Sequence, residues 1–449
     1  MKSIKLWACV VSVLISYVGA QTQMKFDGMR YSGEISRSFD VKDAGDLTIR
    51  DISGSVSVVG EARRDVQIIE RFRINSYSES GAEKILQNEK ARFVQKGNTI
   101  IVEGQRHSRR YSSDFIIKTP QRFNLDIKTS GGDLDIESIT GANKLGTSGG
   151  DIEMDLIVGD VEAHTSGGDI SINESKGDLS VSTSGGDITL KQVRGNIQAE
   201  TSGGDIVLRQ IKGKTTVSTS GGDINVVDLE GDRLEATTSG GDIGADEIRG
   251  NTRLHTSGGN IVVGKIEGSL DAMTSGGNIE IKEVFHSLNA HTSGGNIRVG
   301  LVAEDCRLVT SGGNIEVAVA RNAMSAKTSG GDIIISRALG AVKAETSGGD
   351  IEVFKYLNGR STDQSITMSS SGGDLILYLP SEARVTIDAT ILLNRFGGDY
   401  EIRSDFPLKI NREEKGSRIY LTGAGKLNGG GARVSMQTTE GDIRIKRAI

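Results

Sequence analysis

The sequence predicts an all-β protein, a single-chain parallel β-solenoid with about 18 residues in each coil, which we expect to be right-handed. A Thr-Ser-Gly-Gly-Asp/Asn motif recurs at a nearly constant spacing, and the residues between its copies alternate between apolar and polar. The chain also holds 60 glycines and only three prolines. Because a glycine inside a helix costs about 1 kcal/mol relative to alanine, the repeated glycine pairs disfavour helices.

Fourteen copies of the motif mark the coils. Eleven of the thirteen intervals between them are eighteen residues long, and the exceptions lie between positions 219 and 238 and between 346 and 370. We expect each coil to pair with the coils above and below it, about 4.8 Å away, and to share one core with them. The copies begin at Thr129, Thr147, Thr165, Thr183, Thr201, Thr219, Thr238, Thr256, Thr274, Thr292, Thr310, Thr328, Thr346 and Ser370.

The residues that follow each motif alternate as strand residues do. In the fourth copy, Ile188, Leu190 and Val193 are apolar, whereas Thr189 and Lys191 are polar. Alternation with a period of two, carried largely by β-branched residues, indicates strands that bury one face. The first motif residue has the same phase as the apolar positions, so its hydroxyl is expected to bond along a half-buried ladder.

The regular spacing of small and polar residues predicts the corners of each coil. The glycine pair is expected to form a corner with positive φ, and a second glycine column, from Gly141 through Gly159 to Gly268, predicts another. The acidic or amide residue after the pair is expected to bond nearby backbone in an Asx turn. This column contains Asp133, Asp151, Asp169, Asp187, Asp205, Asp223, Asp242, Asn260, Asn278, Asn296, Asn314, Asp332, Asp350 and Asp374.

Both ends of such a solenoid need covering, because open strand edges template aggregation. We expect residues 1–20 to be a signal peptide, 21–128 to form N-terminal capping strands with one helix, 129–374 to form the solenoid, and 375–449 to form C-terminal strands and a cap. The sequence Ser80-Gly-Ala-Glu83 predicts a capping box at the start of the helix. Near the end of the chain, Thr439-Glu-Gly-Asp-Ile443 resembles the motif.

The first twenty residues predict export. Lys2 and Lys5 precede an apolar run, and Val18-Gly19-Ala20 offers small residues for cleavage. Cleavage there would leave Cys306 as the one cysteine, so no internal disulfide could form. We therefore expect a periplasmic, cell-surface or extracellular protein with no membrane span after removal of the signal. Removing Lys2 and Lys5 leaves 51 basic and 59 acidic residues.

The repeats resemble a bacterial β-strand-repeat family of unknown function that is commonly labelled "putative adhesin". The Thr-Ser-Gly-Gly-Asp-Ile coils carry most of the resemblance, and residues 47–56 and 115–127 are similar to the strands that precede the coils in that family. The resemblance implies a parallel β-helix-like fold and an envelope location. It brings no catalytic or ligand-binding residues with it.

The column of acidic residues is open to two interpretations. The first is purely structural, with each side chain serving a turn. The second is calcium binding, for which Asp187, Asp205 and Asp223 are the candidates, since neighbouring carboxylates 4.8 Å apart repel by about 0.9 kcal/mol even in water. The structural interpretation is favoured because four successive copies carry Asn, which makes the same bond without charge.

Other reactive residues have simpler interpretations. His164, His255 and His291 share an outward column, but they are separated by five and two coils, too far for one zinc ion. Cys306 occupies an apolar column and is expected to be a buried hydrophobe. The sequence therefore predicts no catalytic residue, no metal site and no cofactor.

These observations predict a non-enzymatic exported scaffold, adhesin-like, that binds an unidentified surface or envelope partner by multivalent contact. Residues 129–255 carry 10 basic and 22 acidic side chains, which excludes nucleic acid as the expected partner. The alternatives are a polysaccharide-active β-helix enzyme and a calcium-stabilised periplasmic structural protein. An enzyme would need a cleft on coils that depart from the repeat, as at 230–237 or near 358–364. The oligomeric state stays open.

Overall fold

The computed structural model describes residues 24–105, 109–357, 363–394 and 398–448. The predicted signal peptide lies outside these residues, as does part of the insertion near Asn358. The described chain divides into two compact units, one ending at Thr201 and the other beginning at Ser202. Each unit is a parallel β-solenoid, as predicted. No helix among the described residues is long and apolar enough to cross a membrane.

The first unit begins with a cap of nine strands and one helix, α1, at Glu79–Glu89. The strands are β1 (Lys25–Phe26), β2 (Tyr31–Asp40), β3 (Gly45–Ile52), β4 (Val56–Glu61), β5 (Asp65–Ile74), β6 (Arg92–Lys96), β7 (Thr99–Glu103), β8 (Tyr111–Pro120) and β9 (Phe123–Thr129). The capping box predicted at Ser80 is wrong. Ser78 is the N-cap, and its hydroxyl accepts from the backbone N–H of Gly81, which leaves no glutamate at the third helical position.

The regular coils of the first unit follow. Their strands are β10 (Leu134–Glu137), β11 (Asn143–Gly146), β12 (Ile152–Val158), β13 (Val161–His164), β14 (Ile170–Lys176), β15 (Leu179–Ser182), β16 (Ile188–Arg194) and β17 (Ile197–Glu200). Strands eighteen residues apart pair in parallel, so that Ile152, Ile170 and Ile188 form one ladder. All three side chains are at most 1% exposed, which confirms the predicted buried face.

The coils at the start of the first unit do not stack in chain order. Strand β3 pairs in parallel with both β7 and β9, and β4 pairs with both β8 and β10. The coil made by β3 and β4 therefore lies between two coils that come later in the sequence. Antiparallel strands cover the outermost coil, because β5 pairs with β8 and β6 pairs with β7. The antiparallel strands thus cover the edge that the outermost coil would otherwise leave open.

The second unit continues the repeat from Ser202. Its regular strands are β18 (Ile206–Lys212), β19 (Thr215–Ser218), β20 (Ile224–Thr237), β21 (Ile243–His255), β22 (Ile261–Ile266), β23 (Leu270–Met273), β24 (Ile279–Val284), β25 (Leu288–His291), β26 (Ile297–Val302), β27 (Cys306–Val309), β28 (Ile315–Ala320), β29 (Met324–Lys327), β30 (Ile333–Ala338), β31 (Val342–Glu345), β32 (Ile351–Lys355), β33 (Ile366–Ser369) and β34 (Leu375–Leu379).

The second unit ends in a cap in which, as in the first unit, the coils do not stack in chain order. Its strands are β35 (Val385–Asn394), β36 (Ile402–Ser404), β37 (Lys409–Lys415), β38 (Arg418–Leu427), β39 (Ala432–Thr438) and β40 (Ile443–Arg447). The last two strands pair in parallel with β33 and β34 on one side and with β35 and β36 on the other. The last coil in sequence is thus inserted between two earlier ones. Strand β38 covers β35 in antiparallel orientation.

The motif corner is built by backbone contacts between coils. A Cβ on Gly168 or Gly259, each the second glycine of its pair, would lie 2.0 Å from the carbonyl oxygen of the equivalent glycine one coil earlier. The first glycine is less restricted, since a Cβ on Gly258 would lie 3.3 Å from its nearest neighbour. Neither Gly258 nor Gly259 has a φ in the left-handed range. The expected positive φ is therefore wrong here, and close stacking is the reason for glycine.

Positive φ occurs at the other corner instead. In the second glycine column, Gly141, Gly159 and Gly177 have φ of 159°, 133° and 142°. Three residues before each of them, a non-glycine residue is also left-handed, as at Leu156 and Glu174 with φ of 56° and 49°. The sequence did not reveal this additional bend, because no glycine marks it.

The motif threonines are buried and bond to glycine backbone. The Thr165 hydroxyl donates to the Gly150 carbonyl oxygen at 2.9 Å and accepts from the Gly168 N–H at 3.3 Å. Ser370 makes the equivalent bonds, to Gly349 and from Gly373. The hydroxyls therefore bond along the ladder as expected, but the column is buried rather than half-buried. Each hydroxyl satisfies one donor and one acceptor of the buried corner.

The motif extends into both caps. Thr129 donates to the carbonyl oxygen of Gly54, and Thr438 donates to that of Gly373. The resemblance near the end of the chain is confirmed, although the copy begins at Thr438 rather than Thr439. The same corner thus recurs in the inserted coils at the two ends.

One carboxyl group in the N-terminal cap is buried, so we expect the stability of the cap to depend on pH. Glu70 on β5 is 0% exposed, and its Oε1 accepts from the Tyr111 hydroxyl at 2.5 Å and from the Ala91 N–H at 3.2 Å. Burial raises the pKa of Glu70 above its ordinary value of 4.5. A raised pKa stabilises the folded cap fully below pH about 4.5, and this contribution is lost as pH rises through the folded pKa.

We expect Glu70→Gln to stabilise the cap at pH 7 by on the order of 1 kcal/mol, because the amide keeps an acceptor for Tyr111 without a buried charge. Urea unfolding at pH 4 and pH 7 measures the effect. The difference between variant and wild type should shrink at pH 4. An equal loss of stability at both pH values would contradict the assignment.

Candidate binding groove

The acidic column forms a ladder between coils. The Asp133 Oδ1 accepts from the backbone N–H of Asp151 at 3.0 Å, and the Asp223 Oδ1 accepts from that of Asp242 at 2.7 Å. Asn260 accepts from the Asn278 N–H at 2.8 Å in the same way. The partner is eighteen or nineteen residues away, so the predicted local Asx turn is wrong. Amide and carboxylate oxygens serve this bond equally.

The calcium candidates stay a hypothesis. One oxygen of Asp205 already accepts from the Asp223 N–H at 2.7 Å. Among the described residues, no group of three or more His, Cys, Asp or Glu side chains is placed to hold a metal ion. The hydrogen bonds that Asp205 and Asp223 accept from the next coil are a structural explanation for these two residues.

We expect Asp223→Asn to leave the melting temperature nearly unchanged, because the amide oxygen can still accept the Asp242 N–H. A chelator should have no effect on the wild type. Thermal melts with and without calcium check both points. A large calcium-dependent rise in melting temperature, lost on replacing Asp187, Asp205 and Asp223 together, would establish the calcium-binding alternative.

The histidines and the cysteine lie where the alternation places them. His164, His255 and His291 are exposed, and the Nδ1 of His164 lies 2.9 Å from the Ser182 hydroxyl. Cys306 is 4% exposed and stacks between Leu288 and Met324. Burial raises the pKa of its thiol to about 12, so the thiol stays protonated and unreactive at neutral pH.

A shallow groove of about 610 Å³ runs over five successive coils of the second unit. It lies on the outer side of β23, β25 and β27 and reaches back to the second halves of β20 and β21. Its apolar lining residues Leu270, Leu288 and Cys306 are 2–4% exposed because they face the core. The exposed surface of the groove is therefore formed by its polar residues, through their carbon atoms as well as their polar groups.

An irregular coil forms one end of the groove. The pairing of β20 with β21 shifts between Glu230 and Arg233, where this coil holds one extra residue. The exposed Asp232 lies in this bulge and lines the groove. One of the two departures from the repeat therefore lies at a concave surface. The sequence showed the departure but not the groove.

Side chains in the groove bond to each other from coil to coil. The two carboxylate oxygens of Asp271 accept from the Arg253 Nε at 3.3 Å and the Asn289 Nδ2 at 2.8 Å. In the neighbouring column, the Ser287 hydroxyl donates to the Ser269 hydroxyl at 3.0 Å. Such a network holds the polar groups in fixed positions.

Charge in the groove is balanced. Three arginines and three aspartates line it: Arg233, Arg253, Arg307, Asp232, Asp271 and Asp305. Asp305 accepts from the Asn322 amide at 2.9 Å. The guanidinium of Arg307 makes no ion pair or hydrogen bond with the described residues, so its donors are available to a ligand.

A buried lysine that sequence analysis missed lies just before the second sequence departure. Lys355 is 2% exposed, occupies the column of Ala338, and donates through Nζ to the Gly340 carbonyl oxygen. Burial lowers its pKa to about 8, and Asp363 opposes this change. The signal in the sequence was a lysine at a position that the alternation assigns to the buried face, within the 24-residue interval between Thr346 and Ser370. Its environment gives it a structural role.

No protein of curated function matches the chain. Among solved structures, a putative cell adhesion protein from Clostridium sporogenes shares 8% identity, with 92% of this chain and 100% of that chain covered, at a TM-score of 0.16. A putative adhesin from Bacteroides fragilis shares 16% identity, with 69% and 96% covered, also at 0.16. At this TM-score neither structure superposes on the chain as a whole.

The family comparison covers most of the molecule. The model of the family described as Toastrack DUF4097 matches residues 61–265 and again residues 260–446. The two matches span the regular coils of both units and parts of both caps. They confirm the resemblance noted in the repeats, and the chain belongs to the Toastrack DUF4097 family.

Proposed function

We propose that this protein is an exported, non-enzymatic scaffold that binds an envelope or cell-surface partner through many weak contacts. The observation that supports this most is the groove, where equivalent polar positions recur from coil to coil at a rise of about 4.8 Å. Repeated equivalent contacts gain affinity by avidity, whereas catalysis needs a few dissimilar groups at one point.

The groove also bears on the enzyme alternative. A glycoside hydrolase needs two carboxyl groups that act on one bond. In the groove, Asp271 is bonded on both oxygens and Asp305 is bonded to Asn322. These bonds favour a binding surface over an active site.

The proposal is tested by fractionation and envelope binding. We expect the chain in the exported fraction with its first residue at Gln21, and we expect the purified protein to sediment with isolated envelopes. Alanine replacements of groove residues should reduce sedimentation stepwise as they accumulate. A chain that stays in the cytoplasm with its N-terminus intact, or that fails to bind envelopes, would disprove the proposal.

Proteolysis of intact cells then distinguishes two locations. A chain that is digested at the surface acts as an adhesin in contact with other cells or surfaces. A chain that is protected until the outer barrier is broken acts within the periplasm.

A further inference from the structure

We infer that the groove over coils 232–307 binds a polysaccharide that carries neighbouring hydroxyl groups and little charge. This inference rests on the proposed function, because it names the chemistry of the partner that the scaffold would hold. It is argued from what the groove offers, what it lacks, and how its side chains are spaced.

The groove offers planar groups and hydroxyls. Arg253, Asp271 and Asn289 form one connected row, and Arg307 follows Asn289 in the next coil. Guanidinium, carboxylate and amide groups each present two polar atoms side by side. A pair of adjacent sugar hydroxyls can bond such a group at two points, since each hydroxyl both donates and accepts.

The groove lacks what other polymers require. Nucleic acid needs an excess of positive charge, but three arginines and three aspartates line this groove. An added peptide strand needs an open sheet edge, yet β23, β25 and β27 pair with neighbours on both sides. An amphipathic helix needs apolar pockets, and the apolar lining side chains face the core.

The spacing of the groove suits a chain with its own repeat. Five coils span about 19 Å at about 4.8 Å per step, so several sugar units can lie along the groove together. The polar row is already ordered by its internal bonds, which lowers the entropy cost of ligand binding. The unpaired Arg307 at one end can also accept an isolated carboxylate or phosphate substituent on the polymer.

The test uses isolated envelopes as the probe. Envelopes are first treated with periodate, which cleaves neighbouring diols, or with protease, and the purified protein is then added. We expect periodate to abolish sedimentation, whether or not protease reduces it. Binding that survives periodate overturns this inference while leaving the scaffold function in place. Absence of any binding to untreated envelopes overturns the proposed function, and this inference with it.

Matched variants locate the site. Arg307→Ala and Asn289→Ala should each weaken envelope binding about tenfold, because each removes hydrogen bonds to the ligand. The control is Arg298→Ala, since Arg298 lies on β26, outside the groove, and pairs with Glu316 at 3.1 Å. Arg307 and Arg298 are exposed and Asn289 is half-buried, so melting temperatures should change little. Equal weakening by the control, or none by the groove variants, overturns the assignment.

Discussion

Gly259→Ala is expected to lower the free energy of unfolding by about 3 kcal/mol or more. Its new Cβ would lie 2.0 Å from the Gly241 carbonyl oxygen and 2.4 Å from the carbonyl carbon. These backbone atoms cannot move away without breaking the stack, because the same corner is repeated in each neighbouring coil. Thermal and urea unfolding of the variant provide the measurement.

The adjacent glycine supplies the control. In Gly258→Ala the new Cβ would lie 3.3 Å from the Gly240 carbonyl oxygen, a tight contact that a small adjustment relieves. We expect this change to cost about 1 kcal/mol or less. Similar losses for the two variants would mean that the second glycine of the motif is not selected by close stacking of coils.

Thr292→Val is expected to be destabilising by about 2–4 kcal/mol, because it leaves two backbone groups unbonded in a buried corner. Thr292 is 0% exposed. Its hydroxyl donates to the Gly277 carbonyl oxygen at 2.8 Å and accepts from the Gly295 N–H at 3.2 Å. Valine has nearly the same shape, so the loss of stability reports on hydrogen bonding rather than on packing.

Thr292→Ser separates the hydroxyl from the methyl group. Serine keeps both bonds, as Ser370 does with Gly349 and Gly373, so only the buried methyl is lost, at about 1 kcal/mol. Chemical denaturation of both variants gives the comparison. If serine proves as damaging as valine, the column serves packing, and its hydrogen bonds contribute little.

The period of the sequence was sufficient to predict the coils. A ladder such as Ile152, Ile170 and Ile188 follows from eighteen-residue spacing and alternation alone, since only a parallel stack puts identical residues in contact. The location of Cys306 and the exposure of His291 follow from the same phase. The sequence is therefore sufficient to predict which residues stack in equivalent positions of neighbouring coils and which face of the strand is buried.

Contacts with several chemically equivalent solutions could not be predicted. An aspartate oxygen can accept an N–H in its own turn or in the next coil, and nothing in the residue type distinguishes the two. One end of the groove lies at a shift of pairing between Glu230 and Arg233, and the residue types there do not reveal a concave surface. Lys355 was missed because a lysine in an apolar column is ordinarily assigned to solvent.

The order of the end coils was equally hidden. Strands β3, β7 and β9 all carry the alternating pattern of a half-buried strand. Such a pattern states which face is buried but not which strand lies next to it.

The inserted end coils determine when strands can find their partners while the chain is being synthesised. A regular coil finds its next partner eighteen residues later, a short loop to close. Residues 45–61 must instead wait until Glu137 has emerged before both of their neighbours exist. At the other end, a chain that stops before Ala432 would leave β33 and β35 without the strand that joins them. A truncated product would therefore present two unpaired strand edges, which can pair with other chains and aggregate.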